Sequence, residues 1–130
     1  MYSVTKTFEF EAAHHLPNYG GKCHNLHGHS YKLEVTIEGE KLDEQGMLVD
    51  FSRLKNIVNK YVVDQFDHSN LNDTFPVPTA EIMCEQFYFF IGRHLKDFGR
   101  KPSSLSLKKV RLWETSSSYA EYRGELENED

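Results

Sequence analysis

The stretch His27-Gly28-His29-Ser30-Tyr31-Lys32-Leu33-Glu34-Val35-Thr36-Ile37-Glu38 decides the fold. Tyr31, Leu33, Val35 and Ile37 take the odd positions, and Ser30, Lys32, Glu34, Thr36 and Glu38 the even ones. A period of two marks a β-strand with one face buried and the other in water. His27 and His29 share the odd parity, so both imidazoles point to the apolar side of that strand.

Upstream, Tyr2, Val4, Phe8, Phe10 and Ala12 are apolar at even positions from Tyr2 to His14, with Lys6 the exception. This is a second half-buried strand, and His14 continues its apolar parity. A polar, glycine-containing loop, Pro17 to Asn25, joins the two strands. Downstream, Gly39 to Gly46 reads as a turn region. Asp50 then caps a helix carrying Phe51, Leu54, Ile57, Val58, Tyr61 and Val62 at helical spacing. The polar run Asp67 to Asp73 breaks it. After Pro76 and Pro78, Thr79 caps a second helix through Ile82, Met83, Phe87, Phe90, Ile91 and Leu95, stopping near Gly99.

Two further strands are expected, Leu105 to Thr115 and Ser118 to Glu125. Leu105 and Leu107 share one parity, Val110 and Leu112 the other, so a bulge near Lys108 and Lys109 is required. The order β-β-α-α-β-β predicts an α+β domain, an antiparallel sheet with two helices on one face. It occupies residues 1–130 as one domain, with an acidic tail over about 124–130 read as solvated.

Composition narrows the function. Net charge is −5, and the basic residues are scattered, which leaves little footprint for nucleic acid. The longest purely apolar run, Phe87 to Ile91, is far too short to span a membrane. The start lacks signal-peptide anatomy, and the two cysteines, Cys23 and Cys84, read as reduced thiols of a cytoplasmic protein.

Five of the seven histidines fall between residues 14 and 29. If the two strands pair through the intervening loop, His14, His27 and His29 converge on one patch. Three neutral imidazoles leave a fourth tetrahedral position open, the arrangement of a catalytic zinc site; imidazole also suits other transition metals. A single histidine on an apolar face is more often a hydrogen-bonded core residue, but His-x-His with a third on the expected face is not that pattern. His15 and His24 fall on the opposite parity or in the loop, with a solvated or supporting role. His94 is placed in the second helix among core residues and is assigned nothing. Cys23 reads either as a fourth, closing ligand or as a free thiol serving as base or nucleophile. Cys84 reads as a small buried filler. Asp67-His68 reads as a proton relay or merely as a helix-ending turn.

Phe10-Glu11-Ala12-Ala13-His14, Cys23-x3-His27-Gly28-His29, Asp67-His68 and Trp113-Glu114-Thr115 together resemble the 6-pyruvoyltetrahydropterin synthase family over nearly the whole chain. The three-residue gap between cysteine and His-Gly-His resembles its bacterial branch, the 6-carboxytetrahydropterin synthases of queuosine biosynthesis. The resemblance implies the tunnelling fold (T-fold) and a homohexamer, a dimer of trimers with active sites between subunits. It implies Zn2+ on His14, His27 and His29, Cys23 as general base, and Asp67 and His68 as its relay partners. Glu114 is implied as the anchor of the pterin ring, with Thr115 and Thr79 adding weaker contacts. The implied substrate is 7,8-dihydroneopterin triphosphate, converted to 6-carboxytetrahydropterin, acetaldehyde and triphosphate. Lys22, Arg53 and Arg111 are the candidates for holding the triphosphate.

Three rivals remain at this stage. One is the 6-pyruvoyl reaction, which eliminates triphosphate without cleaving the side chain. Another is a cupin-type metal oxygenase, whose pattern Gly21-x5-His27-x-His29-x4-Glu34 partly matches; Glu34, however, has the polar parity. The third is a non-enzymatic zinc-binding module.

Overall fold

The computed structural model describes residues 1–124; the expected acidic tail from Glu125 lies outside the described residues. Strand β1 (Tyr2–His14) pairs antiparallel with β2 (His27–Gly39) along its whole length. The register sets Phe8 opposite Leu33, Phe10 opposite Tyr31, and His14 opposite His27. Apolar residues of both strands therefore fall on one face, and the polar residues on the other.

The helices cover the apolar face. Asp50 caps the first, Phe51–Val58, by accepting from the Ser52 amide at 2.8 Å. Its end is wider than the sequence suggests: a π turn at Asn59–Val63 leads into a last turn at Asp64–Phe66. The extra residue of that turn keeps Leu54, Val58, Val62, Val63 and Phe66 all buried against the sheet. Phe51, expected on the apolar stripe, is exposed because it begins the helix at the rim. The second helix, Ala80–Gly92, is capped by Thr79, whose hydroxyl accepts from the Ile82 amide. It buries Met83, Cys84, Phe87 and Ile91. It ends earlier than expected, at Gly92; a tight turn, Leu95–Phe98, precedes Gly99, which takes a left-handed φ of 75°. His94 accordingly lies past the helix, stacked on Tyr61 at 3.5 Å and paired with Asp97.

The break after the first helix adds a strand the sequence did not reveal. Ser69–Asn70 forms β3, parallel to β1 at Ala12 and Ala13. Strands β4 (Ser106–Thr115) and β5 (Ser118–Tyr122) complete a five-stranded sheet in the order β3-β1-β2-β4-β5. The last strand stops short of the expected Glu125. Thr36 faces Lys109 and Ile37 faces Leu107, so Lys108 is the extra residue of the expected bulge. A second irregularity skips Glu114, because Trp113 faces Tyr119 and Thr115 faces Ser118.

Candidate metal centre

The pairing of β1 with β2 brings the three histidines together. The rings stand edge to face, with centroids 4.7 Å apart for His14–His27, 5.0 Å for His14–His29 and 4.8 Å for His27–His29. His14 is 1% exposed, packed beside Tyr31.

Backbone carbonyls orient two of the rings. His14 Nδ1–H donates to the Pro78 carbonyl at 2.8 Å, and His27 Nδ1–H donates to the Asn25 carbonyl at 2.8 Å. A carbonyl only accepts, so both Nδ1 atoms carry protons and both Nε2 lone pairs remain free in the neutral rings. This is how metal-binding imidazoles are usually held. Pro78 immediately precedes the Thr79 cap, so the start of the second helix places its carbonyl at His14.

A fourth donor joins them. Glu114 Oε1 lies 2.9 Å from His29 Nε2 and 3.4 Å from His14 Nε2. It has the parity of Val110 and Leu112, so it points to the helix-covered side of β4. One ligand atom from each of His14, His27, His29 and Glu114 falls within 4.8 Å of the others. The Nε2 atoms of His14 and His29 are buried without a hydrogen-bond donor. A carboxylate oxygen close to an imidazole lone pair does not satisfy it; acceptor facing acceptor needs a proton or a metal ion between them. The residues therefore fit a divalent metal with nitrogen and oxygen ligands.

The electrostatics agree. The close approach of His14 holds the Glu114 carboxyl below its usual range, against the opposing effect of burial and with help from His29 and His27. Burial pushes both His14 and His29 down. At His14 the contacts with Glu114 and Pro78 outweigh burial and leave it raised. At His29 burial, with the neighbouring His14 and His27, outweighs the pull of Glu114 and leaves it lowered. The cluster thus favours an ionised carboxylate at Glu114 and disfavours a charge on His29.

The other candidate residues lie elsewhere. Cys23 sits half-buried in a tight turn, Gly21–His24, and is a free thiol outside the four-donor cluster. Burial pushes the Cys84 thiol up to about 11, which makes it the inert cysteine. Asp67 and His68 form a pair, Nδ1 to Oδ1 at 3.0 Å, with His68 79% exposed. His68 has a left-handed φ of 61°, a conformation costing a non-glycine residue about 1–2 kcal/mol. Glu11 holds it there: its amide donates to Asp67 and its carbonyl accepts from the His68 amide. The Glu11 amide is also the main reason the Asp67 carboxyl is lowered. Among the described residues, no hydrogen bond, ion pair or ring contact joins this pair to the triad.

Thr115 accepts from the Ser117 amide at 3.3 Å, and Thr79 caps its helix as described, so each hydroxyl hydrogen remains free to donate. His15 is tied to Asn72 through its backbone, and His24 is exposed. Arg111 is engaged by Glu121 and Glu34 beneath Tyr119, so it is not a free cation for phosphate. Glu34 lies on that polar face, bonded to the Trp113 indole, which removes the cupin-like ligand set.

The family model described as 6-pyruvoyl tetrahydropterin synthase matches residues 3–125. The chain belongs to the 6-pyruvoyl tetrahydropterin synthase family. It is 37% identical to the 6-carboxy-5,6,7,8-tetrahydropterin synthase of Haemophilus influenzae, covering 95% of this chain and 99% of that one. The enzyme of the same name from Aquifex aeolicus is 36% identical, with the same coverage. The structure of Caenorhabditis elegans 6-pyruvoyl tetrahydropterin synthase superposes with a TM-score of 0.79 at 29% identity, over 95% of this chain and 96% of that one. The fold is the α+β T-fold of that family, and the short parallel β3 lies at one edge of its sheet. Among the described residues, no helix is long and apolar enough to cross a membrane.

What sequence reasoning missed is the set of supports. The Pro78 and Asn25 carbonyls left no mark in residue type. Glu114 had one signal, its shared parity with Leu112, but that parity could not say which strand lay beside β4.

Proposed function

We propose that this chain is a zinc-dependent 6-carboxytetrahydropterin synthase, a carbon–carbon lyase of queuosine biosynthesis. It converts 7,8-dihydroneopterin triphosphate to 6-carboxytetrahydropterin, acetaldehyde and triphosphate. The observation that carries this reading is the His14, His27 and His29 cluster, with two Nε2 lone pairs freed by carbonyl-bound Nδ1 atoms. The spacing Cys23-x3-His27-Gly28-His29 and the names of the Haemophilus and Aquifex relatives favour the 6-carboxy branch.

His14, His27 and His29 would hold the zinc, which when bound would supply Lewis acidity toward the substrate's side-chain hydroxyls. Cys23, as thiolate, removes a proton from the carbon next to the ring. His68, steadied by Asp67, returns or removes protons on the opposite side. Glu114 anchors the pterin by accepting from its ring N–H and amino groups. Thr79 and Thr115 add hydroxyl donors.

The exposed Asp67-His68 pair fits an active site completed by a neighbouring copy in a homohexamer, a dimer of trimers. Two free cysteines suit a cytoplasmic setting.

The 6-pyruvoyl reaction is the second reading, favoured by the likeness to the Caenorhabditis structure. Mass spectrometry of zinc-loaded protein with 7,8-dihydroneopterin triphosphate, with a separate acetaldehyde assay, decides between them. Acetaldehyde with 6-carboxytetrahydropterin is the expected result. A 6-pyruvoyl product without acetaldehyde overturns the branch, and no turnover with zinc bound overturns the substrate.

A further inference from the structure

Three histidines and an ordered water would suffice for a catalytic metal, yet the carboxylate of Glu114 already stands beside two of the three imidazoles. Donors bound to one tetrahedral metal at about 2.0–2.2 Å lie about 3.3 Å from one another. Glu114 Oε1 is 2.9 Å from His29 Nε2 and 3.4 Å from His14 Nε2, on either side of that edge length. The three rings, mutually inclined by 63–83°, bring one ligand atom each within 4.8 Å of one another and of Glu114. A residue serving only to hold a pterin would have no need to bring its oxygen so close to two lone pairs that lack donors. Cys23, the other group able to close the site, is not among the donors.

We infer that Glu114 is the fourth ligand of the metal in the substrate-free protein, and that it leaves the metal when a pterin ring takes its carboxylate. The backbone permits both positions. Glu114 is skipped where β4 pairs with β5, so its side chain is not confined by a direct cross-strand partner there. At 29% exposed it is also more open than His14 or His29, as a group that exchanges partners must be. The metal's fourth position is then vacated only when a pterin is seated beside it, which ties the reactive state of the site to ring recognition.

This assignment presupposes a metal on the triad, so the test separates the two. Cobalt(II) is loaded into full-length wild type and Glu114→Gln, affinity is measured by chelator competition, and visible d–d bands are recorded with and without unsubstituted pterin. Losing an outer-shell partner of a metal site costs about 10–100-fold in affinity, so losing a true ligand should cost at least about tenfold. The expected result is that loss, a changed wild-type spectrum on adding pterin, and no such change in Glu114→Gln. Equal affinity and identical spectra for the two proteins overturn the inference and leave the triad intact. A pterin-insensitive wild-type spectrum overturns the exchange. Failure of wild type to hold cobalt or zinc overturns the metal reading itself. Glu114→Asp keeps the carboxylate and should recover part of the affinity, which a merely structural loss would not allow.

Discussion

Replacing His14 by alanine tests the packing and the ligand roles of one side chain together. The ring is 1% exposed, so its removal leaves a cavity in a close-packed region, at about 2–4 kcal/mol. The Pro78 carbonyl loses its donor, adding about 1–3 kcal/mol unless water reaches it. Removing a buried Nε2 that lacks a donor offsets part of this. The metal-free variant should therefore be about 2–4 kcal/mol less stable than metal-free wild type. Zinc adds a separate effect. At a free concentration about a thousand times Kd, it stabilises wild type by about 4.1 kcal/mol. Unfolding entropy of about 2.1 cal/mol/K per residue, over 130 residues, makes that about 15 °C in Tm. Thermal scans at one protomer concentration, with and without zinc, should show this shift for wild type and almost none for His14→Ala. A variant that keeps the full zinc shift refutes His14 as a ligand. Unchanged metal-free stability refutes the packing argument.

Cys23→Ala should abolish turnover while retaining zinc, measured by metal analysis after desalting; loss of metal would instead make Cys23 a ligand. In metal-free protein, the His14–Glu114 contact should stabilise over a defined pH window. Glu114 is lowered, so its contribution is complete above its ordinary value of 4.5 and is lost as pH falls through the lowered one. His14 is raised, so its contribution is complete below 6.5 and is lost as pH rises through the raised value. Urea unfolding of wild type and Glu114→Gln should differ most between those limits, and a difference independent of pH contradicts the pairing. Gly39→Ala would put Cβ 2.7 Å from the Ser104 carbonyl oxygen and 2.8 Å from Leu48 Cδ1, and should cost about 1–3 kcal/mol. Gly28→Ala meets only the Ala12 carbonyl at 3.6 Å and should change stability by less than about 0.5 kcal/mol. Equal melting temperatures for these two variants would contradict the assigned contacts.

Much of the site was legible because β-strand parity is strict. A side chain on a strand has only two sides to choose from, and the buried residues of β1 and β2 declare which is which. His14, His27 and His29 could thus be placed on one patch once the two strands were taken as paired. The bulge at Lys108 was legible for the same reason, since the change in parity between Leu107 and Val110 has no other explanation in a continuous strand. Helix details were less so. The π turn at Asn59–Val63 and the early end at Gly92 are settled by how the helices sit on the sheet, and residue spacing tolerates several such solutions.

By itself, then, the sequence determined the alternating strands, the capped helices, and the side of the sheet on which three imidazoles gather. These are local properties, set by residues next to or near one another in the chain. The tertiary structure alone decided the rest: the Pro78 carbonyl beneath His14, Glu114 beside His29, and the Asp67-His68 pair locked onto Glu11. Each of those contacts joins residues more than fifty positions apart. Such contacts follow from the order of strands in the sheet and the seating of helices on it. Burial of the whole apolar face selects that arrangement, and no local pattern encodes it.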